Sequence, residues 1–593
     1  MITNSIRQFL KAGFVCCGVA AATAGLTSCN DFLTIYPTDK IVGTDFWKTK
    51  SDVEQMVDGA YHSMLSGGIQ ERAIMWGAYR SDELVKTSDY SSTDLDNVSA
   101  VNLLPTMGYC SWADFYKVIN NCNIVLRHAP EVMAEDPEFT QGDYNVVRAQ
   151  MLALRSLCYF YLVRTFRDVP YVSESYEDDS QIQPVAQSTP GEVLQKCLDD
   201  LNEASQYIMK SGGYGLNDWR NWGYITRDAV NAITADIYLW RASMTHSSAD
   251  YQQVVNYTDR IIKAKDEYYK QNNINNVSVA ETDLYHLYRA QLAQTAIFIS
   301  GNSRESILEW QFNGKNNSNT TLENYYYQSG DKDNHKQTGI VQASPIFNVP
   351  AENANTLAGQ KVFATKDDYR FWNVVYGTNS DEADQLQIRK MVDATGMTIA
   401  TTSTEGVIKT NSRSFEEFRQ NWIVYRLTDI MLMKAEALLE LADSTDRDAQ
   451  KSAYELVQAV NERSMLENSK DSLNFDKFTS KSSLELLILA ERERELCFEG
   501  KRWFDLMRFC YRHMSGVNIN QRLADTGAWP ALYQPMMTFI ARKSTEGGQG
   551  DAIAIKMKSE PYLYWPIQES EIKVNNLLKQ NPVWYQERTT SKN

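Results

Sequence analysis

Histidine is scarce: six residues in a chain of 593, at 62, 128, 246, 286, 335 and 513, none within a helical turn of another. That scatter excludes helical metal motifs, which set two imidazoles on one face. Cysteine is scarce too. No pair stands at C-x-x-C spacing, so zinc-ribbon and thioredoxin-type readings fail. G-x-x-x-x-G-K-[ST], G-x-S-x-G and H-E-x-x-H are all missing, and with them the phosphate loop, the hydrolase elbow and the zincin centre. Positive charge is in deficit: the formal balance is −16 with a pI of about 5.1, which argues against nucleic acid and anionic membrane surfaces as partners. Beyond the N-terminus no apolar run approaches the ~20 residues that span a bilayer.

What is present is a soluble globular composition, 43% hydrophobic and 23% charged, long enough for two to four ordinary domains. Tyrosine (33) and tryptophan (13) exceed what a core needs, so aromatic surface is expected.

Residues 1–28 read as a processing segment. Arg7 and Lys11 form a basic start, an apolar stretch runs from Ala12 to Leu26, and Leu26-Thr27-Ser28-Cys29 fits the bacterial lipobox. Cys29 is then the lipidated first residue of the mature chain, held in a membrane by two or more acyl chains. Loss of Arg7 and Lys11 makes the mature chain more acidic still. Cysteines 110, 122, 158, 197, 497 and 510 follow; Cys158, Cys197 and Cys497 stand at apolar helical positions and read as small buried hydrophobes. Export leaves room for one disulfide.

Helical periodicity recurs along the chain. Ser51 and Glu54 are expected to box a helix that carries Val53, Val57, Ala60 and Met64 on one face. Helices are expected at 112–128, at 144–166, behind Thr189-Pro190-Gly191-Glu192, at 226–244, at 251–264, at 422–442 and at 449–463. Residues 76–105 read as loop, and about 272–419 as a loop-rich insertion with short β-like runs at 307–312 and 371–376. Leu484–Phe509 reads as a buried helix opened by Ser482 and Glu485. Its charges are expected to pair at i,i+3: Glu491–Arg494, Arg492–Glu495, Glu499–Arg502, Arg502–Asp505 and Asp505–Arg508, with Gly500 an end or bend. By periodicity alone this is a large, mainly α protein of helix hairpins.

Arg494–Arg508 resembles the R-E-L-x-F-E-G-x-R-x-x-D-L-x-R motif of the SusD/RagB-like lipoproteins, outer-membrane nutrient-binding proteins of Bacteroidota. Asp31-Phe32-Leu33…Pro37, Arg155–Pro170, Pro566-Ile567-Gln568 and Gln580-Asn581-Pro582-Val583 are similar to further motifs of that family, with Arg167 for a Gly, Gln568 for a Pro and Val583 for a Gly. The resemblance implies a degenerate tetratricopeptide-like scaffold (about 45–270 and 420–510), an irregular ligand-bearing half and a C-terminal segment (about 511–593), all one domain over 29–593. It also implies a place on the outer membrane, facing the cell exterior, over a SusC-like TonB-dependent transporter, without cofactor or catalysis.

Sugar rings stack on aromatic faces and need amide, carboxylate or guanidinium partners for their hydroxyls. Two stretches have that mixture: Trp76, Tyr79, Arg80, Asp82, Tyr90 and Asn97, and Trp310, Tyr325, Tyr326, Tyr327 and Trp372. Oligosaccharide is the expected ligand, with peptide or a protein partner as alternatives. Asp94 and Asp96 offer carboxylates to a Ca²⁺ without the rest of a loop motif.

Overall fold

A computed structural model describes residues 46–178, 183–215, 217–271, 285–314, 317–327, 339–348, 360–376, 386–392, 418–466, 472–543 and 549–584. The lipobox, Asp31–Pro37 and Tyr585 lie outside the described residues.

The molecule is mainly helical. The principal helices are α1 (Lys50–Ser63), α2 (Gly67–Ile74), α3 (Ala113–Glu135), α4 (Gln141–Phe166), α5 (Pro190–Tyr207), α6 (Arg227–Thr245), α7 (Ser248–Gln271), α8 (Leu427–Leu441), α9 (Arg447–Ser464), α10 (Lys481–Leu496) and α11 (Arg502–Arg512). Each packs on the next in a continuous pile: α1 on α3, α3 on α4, α4 on α5, α5 on α6, α6 on α7. The pile then passes directly from α7 to α8, on to α9 and α10, so the stretch between residues 271 and 427 leaves it and returns at adjacent helices. Helix α4 is apolar and long enough to cross a membrane, yet its second half is buried on every side, with its neighbours packed around it.

Local chemistry explains most boundaries. Thr189 caps α5, its amide donates to the Glu192 carboxylate at 2.8 Å, and Pro190 takes the first turn. The stripe Val193, Leu194, Cys197, Leu198, Leu201 and Ile208 is buried. Two caps differ from the sequence reading. Helix α1 opens at Thr49 with Asp52, not Ser51 with Glu54, and α10 opens at Ser480 with Ser483, not Ser482 with Glu485. Glu485 instead faces Arg512 and His513, each at 2.8 Å, because it lies on the buried side of its helix.

Residues 76–105 are also more ordered than expected. Met75–Tyr79 prolongs α2 as a wider π turn, β1 (Leu84–Lys86) follows, and Thr93–Ser99 is helical. Periodicity was absent because burial is all-round here, from Met75 through Glu83. Residues 422–426 are not helix but strand. Trp422, Ile423, Val424 and Tyr425 are aromatic and β-branched, and they pair antiparallel with β2 (Ser306–Trp310), Trp310 opposite Trp422. Residues 371–376 divide between a short helix (Tyr369–Asn373) and a strand (Val375–Tyr376). Within the insertion β3 (Val341–Ala343) pairs antiparallel with β1, tying it to the N-terminal segment.

The charged motif is buried, as its composition implied, but its partners are mostly distant. Glu491–Arg494 and Asp505–Arg508 form as expected, both at 2.8 Å. Glu495 instead meets Arg370 (2.8 Å), Arg426 (2.6 Å) and Arg463; Glu499 meets Lys390 and Arg426, both at 2.7 Å. Arg492 pairs with Asp429 and Asp505, and Arg502 with Asp82 and Glu493. A break between α10 and α11 separates one expected pair: Phe498 and Gly500 both take positive φ (66° and 71°), so Glu499 and Arg502 share no helix. The turn lies against the π turn so closely that a Cβ on Gly77 would stand 1.8 Å from the Gly500 carbonyl oxygen.

Candidate functional site: an aromatic and amide-lined cleft

A cleft of about 760 Å³ opens between α1, α4, the segment 219–225 and the end of β2. That volume lies within the ~300–1,000 Å³ of small-ligand sites. One wall is aromatic. Tyr61 of α1 stacks on Tyr224 at 4.4 Å and 10°, and Trp219 meets Tyr224 edge-on at 5.4 Å. Trp219 is 48% exposed, a large apolar face at the rim. The Tyr224 hydroxyl donates to Asp58, and the Tyr61 hydroxyl accepts from the Ile225 amide at 3.0 Å. Burial first, then the Asp58 hydrogen bond and charge, push the Tyr224 phenol up, so it stays a protonated donor.

The segment that presents Trp219 is built for a tight path. Gly212, Gly215 and Asn217 adopt positive φ. Asn221 closes the loop, donating to the Gly215 carbonyl at 2.7 Å and accepting from the Tyr214 amide. Trp222 pins it to the insertion through its indole N–H, which donates to the Ser303 carbonyl at 2.8 Å. Gly223 is needed where it stands, since a Cβ there would lie 2.6 Å from Gln311 and 2.7 Å from Trp219.

The opposite wall is Trp310 followed by Gln311, Phe312 and Asn313. Trp310 stacks on Trp422 at 6.2 Å and 20°, which fixes its ring. The amides are oriented from behind. Gln311 donates to Asn302 at 2.8 Å and accepts from Asn421 at 3.2 Å, while Asn421 donates to Glu309 at 2.7 Å. Burial raises the pKa of Glu309 from its ordinary value. Two aromatic faces and preset amides give ring-stacking surfaces beside hydrogen-bond donors and acceptors.

The expected site residues divide. Trp310 lines the cleft from the core, with 4% of its surface exposed. Trp76 is wholly buried, stacked on Phe115 with its N–H on the Tyr109 carbonyl at 2.9 Å. Tyr79 donates to the Leu95 carbonyl, Arg80 to the Leu563 and Tyr562 carbonyls while lying over the Trp503 ring, and Asp82 pairs with Arg502 and Arg542. Tyr326 donates to the Phe498 carbonyl, and Trp372 to the Lys366 carbonyl. These six are core residues; around Trp76 and Tyr79 the polar neighbours Arg80, Ser81, Asp82 and Glu83 are themselves buried, so local polarity did not mean exposure there. Tyr90 is exposed, and Asn97 and Tyr327 are half-buried. The β1–β3 ladder brings the two stretches together near Tyr325, whose hydroxyl donates to Glu71 and stands 3.4 Å from that of Tyr109. Asp96 pairs with Lys86 at 3.4 Å, and among the described residues no three His, Cys, Asp or Glu are grouped to hold a metal ion. The missed part of the cleft is Tyr61, Trp219 and Tyr224; the density of aromatics beside glycines over residues 212–224 is a readable signal.

The chain is a pile of helices with a strand-tied segment between residues 271 and 427 and a lined cleft where the two meet. Family models match it along nearly its whole length: that of the SusD family over residues 238–584, more than half of the chain, and "Starch-binding associating with outer membrane" over 31–239. The chain belongs to the SusD family. It is similar to SusD-like protein P38 of Formosa agariphila, 25% identical with 86% of this chain and 94% of that protein covered, and to SusD-like protein P2 of the same organism, 24% identical over 82% and 88%. Among solved structures, a SusD superfamily protein of Bacteroides fragilis superposes with a TM-score of 0.61 at 18% identity, covering 91% of this chain and all of that one. One from Bacteroides thetaiotaomicron gives 0.59 at 20% identity, covering 91% and 99%.

Proposed function

We propose that this chain is a surface lipoprotein that binds oligosaccharide in the Trp219–Trp310 cleft and delivers it to a SusC-like TonB-dependent transporter in the outer membrane, without catalysing a reaction. The observation that carries the reading is the cleft: an exposed tryptophan at its rim, a second aromatic face in its wall and amides already oriented between them. Its composition is that of a sugar site, and the matched family description, starch-binding and associated with the outer membrane, supports it. Residues 1–28 are removed, Cys29 carries the lipid, and 29–593 form one unit.

A glycan array followed by calorimetry tests the ligand. Trp219→Ala, which removes an exposed ring and no core contact of size, is expected to weaken binding about ten-fold, an ordinary cost for an aromatic anchor. Binding of peptides with no oligosaccharide bound replaces this reading by a peptide binder. Cys29→Ala is expected to release the protein from the membrane fraction, and mild-detergent affinity isolation to recover a β-barrel transporter; recovery of the protein alone counts against the partnership.

A further inference from the structure

We propose that the cleft selects uncharged oligosaccharides over carboxylated ones, with Asp58 as the discriminating residue; this rests on the reading of the cleft as an oligosaccharide site. Among the described residues lining it no lysine or arginine occurs, and apart from tyrosine the ionisable groups there are Asp58 and His62, one turn apart on α1. The guanidinium nearest in sequence, Arg220, is committed elsewhere: it donates to both oxygens of Asp218, at 3.0 and 2.7 Å, and lies 4.9 Å over the Tyr214 ring. A ligand carboxylate in the cleft therefore meets no cationic side chain among the described residues of the wall.

It meets a carboxylate instead. The Tyr224 hydroxyl donates to Asp58 and so holds that charge beside the stacked Tyr61–Tyr224 face on which a sugar ring would lie. Glu54, a turn earlier on α1, is exposed on the same side of the helix and adds to the field. Asp58 is itself exposed, so water screens it. Two like charges about 5 Å apart in water then shift an affinity about four-fold, and exchanging repulsion for attraction about fifteen-fold. Discrimination by an unfavourable contact needs no added affinity for the preferred ligand.

The test takes the neutral oligosaccharide found by the array and the same oligosaccharide with its primary hydroxyls oxidised to carboxylates. Both are titrated by calorimetry at 50 mM and at 1 M salt. The readout is the ratio of the two affinities. The wild type is expected to prefer the neutral form several-fold at low salt, and less at 1 M, where the screening length falls to about 3 Å. Asp58→Asn keeps an acceptor for Tyr224 and is expected to narrow the ratio about four-fold; Asp58→Lys narrows it about fifteen-fold or inverts it. Glu569→Gln removes one negative charge outside the cleft and should leave the ratio as it was. Equal binding of both forms by the wild type, or an unmoved ratio in Asp58→Asn with neutral binding retained, overturns the inference and leaves the oligosaccharide site standing. Failure of every neutral oligosaccharide to bind overturns the site and the inference with it.

Discussion

Glu495→Gln removes one negative charge at the point where three arginines converge. The wild-type carboxylate accepts from Arg426 at 2.6 Å, Arg370 at 2.8 Å and Arg463, and is 4% exposed. Glutamine has nearly the same shape and keeps one acceptor oxygen, so the change isolates charge from packing. Breaking a buried ion pair costs about 3–5 kcal/mol, chiefly because the partner charge is left in a poor solvent. With the acceptor retained, about 3 kcal/mol is expected at pH 7, a shift of about a hundred-fold in the folding equilibrium. Urea unfolding followed by circular dichroism should show a lower midpoint with an unchanged slope. Acid supplies a second handle. Burial alone would raise the pKa of Glu495, but Arg463, Arg426 and Arg370 together hold it well below the usual carboxylate range. A depressed folded-state pKa stabilises fully above the unfolded value of about 4.3 and progressively less below it. The gap between wild type and variant should therefore be widest at neutral pH and close as the pH falls below about 4. A variant within 0.5 kcal/mol (about two-fold) of wild type at pH 7, or a gap constant down to pH 3, refutes this account of the network.

Gly77→Ala drives a Cβ to 1.8 Å from the Gly500 carbonyl oxygen, backbone against backbone, so a loss of about 3 kcal/mol or failure to fold is expected. Gly59→Ala, in α1 with nothing within 4 Å, should instead be neutral or gain up to about 1 kcal/mol, and similar urea midpoints for the two variants would contradict the close approach. Gly223→Ala must displace Gln311 or Trp219, so oligosaccharide binding should weaken more than stability does; unchanged calorimetry argues against those side chains as ligand contacts. Cysteines 110, 122, 158, 197, 497 and 510 are buried free thiols, and burial raises the pKa of each, that of Cys122 to about 12. In a chain starting after Cys29 they should ignore a disulfide reagent when native and all react in urea; rapid native labelling would contradict their burial.

Helices with one buried face were legible, because a 3.6-residue stripe such as Val193–Leu201 appears only when the other face is wet. Segments buried all round were not. Met75–Glu83 has no stripe, and its charges found partners, Arg502 and Arg542, more than four hundred residues away. Trp422–Arg426 is an apolar run that periodicity cannot assign, and only its pairing with Ser306–Trp310 decides it. Long range also limited the site. Aromatics in polar sequence suggest surface, yet at Trp76 and Tyr79 the polar neighbours are the buried side of an ionic network. Trp219 reaches the cleft through a glycine-rich turn, and only the fold sets that turn opposite Trp310.

The pairing of Trp310 with Trp422 acts as a clasp. Everything between those residues leaves and re-enters the scaffold at one place, so its ends are joined whatever lies between them. Doubling the length of a flexible loop costs only about 0.6 kcal/mol in closure. Lineages can therefore rewrite that stretch piecemeal, by insertion, deletion or exchange, without re-solving the fold of the helices. What resists rewriting are the points where the stretch is nailed down: Arg370 and Lys390 in the ionic network, and Val341–Ala343 on Leu84–Lys86. Homologues should differ most in length between the nails.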